Sequence, residues 1–314
     1  MIRIGTRRSA LALAQAKLVA GLLGDCEIVP MTTSGDSDAE PPAPATDKSR
    51  WVVELEDALV AGEIDLAVHS AKDVPGELAP GLALLGSPAR AAPGDVLCGV
   101  AGLEELREGS RVGTSSIRRV AQLRAVREDL DVVTLRGNVD TRLGKLADAD
   151  ERLEAIVLAH AGLQRLDREA EIGGALDAER FVPAPGQGAL ALEGRAGDER
   201  IEEAVRAITD ADTFACLLAE RALARALGAS CHTPLGAHAV PAGCGCLNLR
   251  AWVGLPDGSA WVADELAETG IRAEGACLPA SVGGFYDPEA LGRRVAERMQ
   301  AAGATELLRR AEVP

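Results

Sequence analysis

Aromatic residues are scarce in this chain, at 2% of its 314 residues, with a single Tyr. An aromatic-rich core is thereby excluded, and the interior must be built from Ala, Val, Leu and Ile, which suits helices layered on sheets. Long apolar runs are missing too. No stretch of eighteen apolar residues occurs, and the opening MIRIGTRRSALALAQ carries charges within its apolar part and no small-residue cleavage signal. A soluble, unexported protein without a membrane partner is the expectation. Basic residues are the minority, 33 against 48 acidic, and the net charge of -15 opposes any general affinity for nucleic acid or anionic lipid. The seven cysteines are odd in number and scattered from Cys26 to Cys277, which fits no disulfide framework, leaves at least one thiol free and points to the cytoplasm.

What is present is an alternation of short apolar runs and helical patterns. The length exceeds that of one ordinary core and implies two or three domains. Ile2 to Ile4, a helix capped by Ser9, Glu27 to Met31, a helix near Trp51 to Ala61 and Leu66 to Val68 read as βαβ units of a mixed or parallel sheet. A second series begins near Gly94: Val96 to Val100, Arg111 to Gly113, a helix from Ser115, Asp131 to Leu135, a helix from Asn138, and Ala155 to Ala159. Between the first series' second strand and second helix lies SGDSDAEPPAPATDKSR, which reads as a loop over a cleft or as a solvated connector. PAPGQGALALEG (Pro183 to Gly194) is punctuated by Pro and Gly and marks a crossing between domains. A helix near Asp212 to Leu227, the loop ASCHTPLG, a hairpin around PDG and a last helix opened by Asp287 and Pro288 then form a smaller α+β unit.

Several segments bear chemistry. DLAVHSAKDVP sends a strand into a polar turn, leaving His69, Ser70, Lys72 and Asp73 at a strand's C-terminal end, where α/β sheets bind ligands. The Lys72 and Asp73 pair is equally readable as a surface ion pair. In VGTSSIRRVAQLR the N-cap residues Thr114, Ser115 and Ser116 open a helix with Arg118 and Arg119 in its first turn. Free backbone N–H groups, hydroxyls and guanidinium groups make that an anion site. Cations there oppose the helix dipole and so do not serve helix stability; the competing reading is a solvated helix face. From Arg111 to Lys145 eight basic residues stand against four acids, a positive segment in an acidic chain that suits a polycarboxylate or a phosphate. RGNVDTRL adds Arg136 and Arg142, with Asn138 as a cap on the face that carries Arg142. Arg7, Arg8 and Ser9 follow the first strand at a helix start, a further anion position, and His160 and Arg165 stand at another strand end. Cys231 lies in a loop after a helix-ending glycine, where a thiol is accessible to an electrophile. Cys26, Cys98 and Cys216 lie in apolar patterns and read as small hydrophobes. Cys231, His232, Cys244 and Cys246 match no usual zinc spacing, so no metal is expected.

In this order, GTRRSALALAQ, TTSGD, HSAKDVP, VGTSSIRR, LRGNVDTRL, LAHAGLQRL, PAPGQGALALE and GASCHTPLGAHA resemble the porphobilinogen deaminases, also called hydroxymethylbilane synthases. That resemblance implies two similar α/β domains like those of periplasmic binding proteins and a smaller C-terminal α+β domain: residues 1–90 with 190–206, then 93–185, then 209–314. It implies a monomeric transferase of tetrapyrrole (haem and porphyrin) biosynthesis that joins four porphobilinogen molecules head to tail, releasing ammonia, to give linear hydroxymethylbilane. The family's dipyrromethane cofactor is held by a thioether, which falls on Cys231. The catalytic carboxylate falls on Asp73. Cofactor contacts fall on Lys72, Asp73, Thr114, Ser115, Ser116, Arg118, Arg119 and Arg136, and substrate contacts on Arg7, Ser9, Gln15, Lys48, Arg142 and Arg165.

One departure stands out. The family's loop before the second helix is rich in glycine and lysine, whereas PAPATDKSRWVVELEDAL keeps only Lys48 and Trp51 at the matching places. The rival from another class is a non-catalytic two-lobed module that binds carboxylates or phosphate, which would need neither Cys231 nor a bound pyrrole.

Overall fold

The computed structural model describes residues 1–33, 52–230, 233–242, 246–268 and 287–311. The chain begins with β1 (Ile2–Arg7), α1 (Ala10–Leu23), β2 (Cys26–Met31), α2 (Val53–Val60), β3 (Leu66–Ser70) and β4 (Leu82–Gly86). It continues with β5 (Asp95–Cys98), β6 (Arg111–Gly113), α3 (Ile117–Val126), β7 (Asp131–Val133), α4 (Val139–Ala147), β8 (Ala155–Ala159), α5 (His160–Arg165) and β9 (Gly174–Ala175). Then come β10 (Leu190–Arg195), α6 (Glu199–Ile208), α7 (Ala211–Ala226), β11 (Leu235–Pro241), β12 (Leu247–Gly254), β13 (Trp261–Glu268), α8 (Pro288–Ala301) and α9 (Ala304–Ala311).

Two five-stranded sheets share one plan. The first runs β2-β1-β3-β10-β4 and the second β7-β6-β8-β5-β9. In each, the first three strands are parallel and the fourth enters antiparallel to both neighbours. The antiparallel strand of the first sheet, β10, arrives only after the second sheet is complete, so the chain crosses between the sheets twice. The third sheet, β11-β12-β13, is an antiparallel meander covered by α7, α8 and α9. This is the mixed α/β architecture with two alike parts and a smaller C-terminal sheet that the sequence implied.

Local chemistry sets these elements. Ser9 accepts from the Ala12 amide at 3.3 Å and starts α1, and Gly24, at φ 92, ends it. Asn138 accepts from Thr141 N at 2.8 Å to open α4, and Asp210 caps α7 in the same way. Along β3, Leu66 and Val68 pack with Ile4, Ala16, Val19, Ile201 and Val205, while Ala67 points the other way to Leu55, Leu59 and Ile64. That alternation is the period-two pattern of a strand covered on both faces.

The crossing segments are bonded to each other. Ala91 N donates to Gly188 O at 3.1 Å and Arg90 Nε to Gln187 O at 2.9 Å. Gly188 has φ 87, and a Cβ there would lie 2.4 Å from Ala91 O, so both backbone angle and space demand glycine. From α7, Glu220 receives Arg90 at 2.7 and 3.1 Å, Gly186 N at 2.6 Å and Ala239 N at 2.7 Å, tying the third sheet to the crossing.

Candidate active site

Strand β3 ends in a single tight turn, Ala71–Asp73, closed by Val74 N donating to Ala71 O at 3.3 Å. Ala71 is the buried anchor, and Lys72 and Asp73 are left half-buried at the strand's C-terminal end. Across from it, the end of β1 supplies Arg7, the cap of α1 Ser9, and the helix itself Gln15. These residues, with His69, Ser70 and Asp73, line a small cleft of about 50 Å³. Gln15 is 2% exposed and donates to Ser70 Oγ at 2.7 Å, which fixes the wall beside Asp73.

The second sheet contributes the hydroxyl-rich turn before α3. Thr114 is buried and accepts from Ser116 N at 3.3 Å; Ser116 caps the helix; Ser115 Oγ accepts from Arg142 Nη2 at 3.2 Å. Arg118 and Arg119 turn inward and are 3% and 5% exposed. Both meet Asp95, at 2.8 Å each, and they also donate to the carbonyls of Val182 and Val157 at 2.9 Å. Asp95 further accepts from Gln187 of the crossing at 2.8 Å. Burial alone would raise the Asp95 pKa, but the two guanidinium groups hold it far below the usual carboxylate range. The solvated-face reading of these arginines is therefore excluded. Sequence reasoning overlooked Asp95; its signal was a carboxylate heading an apolar strand.

Among the described residues, Lys72, Arg142 and Arg165 form no ion pair of this kind. Burial pulls Lys72 down to about 8, with Asp73 raising it and Arg119 lowering it. Burial likewise lowers Arg142, helped by Arg119 and opposed by Asp73. Arg165 is lowered by burial to about 10; its one hydrogen bond among the described residues is to Gly188 O, at 2.6 Å. The Nε atoms of Arg142 and Arg165 are buried without a hydrogen-bond partner. Arg136 is exposed after β7. Unsatisfied buried donors and excess positive charge around one carboxylate fit a ligand that brings several carboxylates, as a dipyrromethane does.

Lys48, Trp51, Cys231, His232 and Cys244 lie outside the described residues. Of the other cysteines that are described, Cys98 and Cys216 are buried, and burial raises their thiols to about 11 and about 12. Cys26 is half-buried and raised by the same cause, and Cys246 is buried. Held protonated in this way, Cys26, Cys98 and Cys216 are poor nucleophiles, in keeping with their reading as small hydrophobes.

Comparison with known proteins agrees along nearly the whole chain. Residues 2–203 match the family model described as "Porphobilinogen deaminase, dipyromethane cofactor binding domain", and residues 214–301 match the porphobilinogen deaminase C-terminal domain. The porphobilinogen deaminase of Xanthomonas euvesicatoria pv. vesicatoria (strain 85-10) is 44% identical, over 98% of this chain and 98% of that protein. That of Deinococcus deserti is 46% identical, over 82% and 86%. Among solved structures, an ABC transporter periplasmic substrate-binding protein from Coxiella burnetii covers 66% of this chain and 92% of its own, at 12% identity and a TM-score of 0.40. On the extent and identity of the sequence matches, the chain belongs to the porphobilinogen deaminase family.

Proposed function

We propose that the cleft between the first two sheets is where this chain, a dipyrromethane-dependent transferase of tetrapyrrole biosynthesis, joins four porphobilinogen molecules into linear hydroxymethylbilane, with Asp73 as its catalytic carboxylate. The observation that carries this reading is the one carboxylate of the β3 turn set near Lys72 and Arg142, cations that form no ion pair among the described residues. We divide the chain into three domains, 1–90 with 190–206, 93–185, and 209–314, a reading supported by its three sheets. When bound, the dipyrromethane supplies a covalently held pyrrole with a free α-carbon as the starting nucleophile.

The chain's own residues do the rest. Breaking the aminomethyl C–N bond of porphobilinogen releases ammonia and leaves a cation delocalised over the pyrrole. Asp73, held by a rigid turn, stabilises that charge without solvent reorganisation and accepts from the pyrrole N–H. As the new C–C bond forms at an α-carbon, that carbon's proton departs, and Asp73 is placed to take part in its removal. Lys72, Ser115, Ser116, Arg136, Arg142 and Arg165 neutralise acetate and propionate groups, whose number grows with each addition. Arg7, Ser9, Gln15 and Lys48 hold the incoming ring. Arg118 and Arg119 lie beneath this set, and with Asp95 they fix Thr114 and the α3 start from which the hydroxyls project. Cys231 carries the thioether. We place the enzyme in the cytoplasm as a monomer, with porphobilinogen as its partner and no part for membrane, nucleic acid or metal. Among the described residues no helix is long and apolar enough to cross a membrane.

Asp73→Asn tests the assignment, since it keeps shape and loses charge. The expected result is a folded protein with cofactor attached and turnover reduced by about a hundredfold or more. Retention of most of the wild-type rate would move catalysis elsewhere. Intact mass should show an excess of two pyrrole units, mapped to the peptide Ala229 to Thr233 and absent from Cys231→Ser. An unmodified mass in active protein would favour the non-catalytic module instead.

A further inference from the structure

We infer that Arg221 is a positioning residue for the reaction: from the middle of α7 it clamps the backbone that follows Asp73 and so fixes that carboxylate against the C-terminal unit. The inference rests on Asp73 being the catalytic carboxylate. At four-residue spacing, Leu217, Arg221 and Arg225 share one face of α7. Leu217 is fully buried against Ala71, Val74, Ala189 and Ala191, so the helix packs directly on the turn. Arg221, 8% exposed, then donates from Nη2 to Pro75 O at 2.7 Å and Gly76 O at 3.1 Å, and from Nη1 to Val74 O at 3.4 Å. A Cβ on Gly76 would sit 3.1 Å from Arg225 Cγ, which shows how closely the segment lies on the helix.

No described carboxylate is within ion-pair distance of Arg221. Glu193, Glu77 and Glu289 offset its charge from further away, while burial lowers its pKa to about 10. Glu193 is itself fully buried, with Oε2 2.9 Å from Nε2 of His69 on β3. The backbone just beyond the strand end is held by Arg221. A buried guanidinium is a costly space-filler, and a hydrocarbon would fill the same volume with less desolvation. What arginine adds is a rigid fork of donors that reaches three successive carbonyls immediately after Asp73. No other part of the β3 turn is held by the C-terminal unit through side-chain hydrogen bonds among the described residues.

Arg221→Lys in the cofactor-loaded enzyme is the test, because it keeps a cation and loses the fork. Arg195→Lys serves as the reference. Arg195 donates to Leu59 O at 2.7 Å and Ile64 O at 2.9 Å, a comparable carbonyl clamp away from the turn. In Arg221→Lys, intact mass should show full cofactor and KM should stay within about twofold, while kcat falls about tenfold or more, the loss that a small misplacement produces. The amides of Val74 and Gly76 should exchange faster than in wild type. Arg195→Lys should lose melting temperature but keep kcat within about twofold. Arg221→Gln reads the same quantities if the lysine variant does not accumulate. Wild-type kcat in the Arg221 variants, or equal kcat losses at Arg195 and Arg221, would overturn the role. A fully active Asp73→Asn would instead remove the catalytic premise, and the exchange of Val74 and Gly76 would still report whether the clamp exists.

Discussion

Two groups of arginines in the second sheet's neighbourhood are put to opposite uses. Arg118 and Arg119 are locked onto Asp95 in the interior, with further bonds to carbonyls and a link to Gln187. Arg142 and Arg165 are half-buried and, among the described residues, form no ion pair with a carboxylate. The first arrangement carries its own counter-charge in Asp95. The second forms no ion pair among the described residues, which fits the carboxylates of the proposed ligand. The contrast teaches that a cationic sequence segment does not by itself say which cations meet the ligand; the position of the buried acid decides it.

The largest effect that separates the groups should come from Asp95→Asn. It strands two buried guanidinium groups, and breaking such a pair costs about 3–5 kcal/mol, to be read by denaturant unfolding. Unfolding within about 1 kcal/mol of wild type would show that the locked group is not structural. The next largest effect is catalytic. Arg165→Leu removes a desolvated charge with no carboxylate partner, so stability should change little or rise. The lost charge-assisted contact, worth about 1.5–3 kcal/mol, should lower kcat/KM about ten- to a hundredfold. A variant with normal kinetics would take Arg165 out of the waiting group.

A smaller effect lies in pH. The folded pKa of Lys72, about 8, is below the ordinary lysine value, so between these limits the unfolded chain binds the extra proton and stability rises with pH. For the cofactor-free Cys231→Ser protein the slope from this one group, between about pH 8 and 10.4, is at most about 1.4 kcal/mol per pH unit, and Lys72→Met should abolish it. Carboxylates of bound cofactor should flatten the slope in the loaded enzyme. The smallest effect is Asn138→Ala, which removes the cap of the helix bearing Arg142. A loss of about 1 kcal/mol is expected, together with a weaker hold on substrate measured as KM.

Much of this was legible beforehand. Residue types that act locally were readable: Ser9 and Asn138 as caps, the strand Ala155 to Ala159, the hairpin around PDG, the helix after Asp287 and Pro288. The turn with Lys72 and Asp73 was placed by a strand pattern running into a polar break. What escaped were contacts between distant segments. Asp95 was passed over at the head of an apolar strand, and only its tertiary pairing with Arg118 and Arg119 reveals it. Glu220 and Arg221 are adjacent charges on a helix whose pattern gives no hint that one grips the crossing and the other the backbone after Asp73. Strands β4, β9 and β11 were missed because they are short or interrupted by glycine and proline, and α9 because it follows α8 with only a brief break.

The double crossing between sheets also sets an order for synthesis. In the first sheet, β4 has only β10 as its neighbour, and β10 is made after all of β5 through β9. As the polypeptide leaves the ribosome, β1, β2 and β3 can pair at once, but β3 keeps an open edge and β4 waits unpaired until Leu190–Arg195 has emerged. The second sheet has every strand it needs before that moment. The half that houses Asp73 is therefore the later of the two to close in a growing chain, and a chain that has emerged only as far as a point between residues 175 and 190 would display the second sheet whole and the first without β10 between β3 and β4.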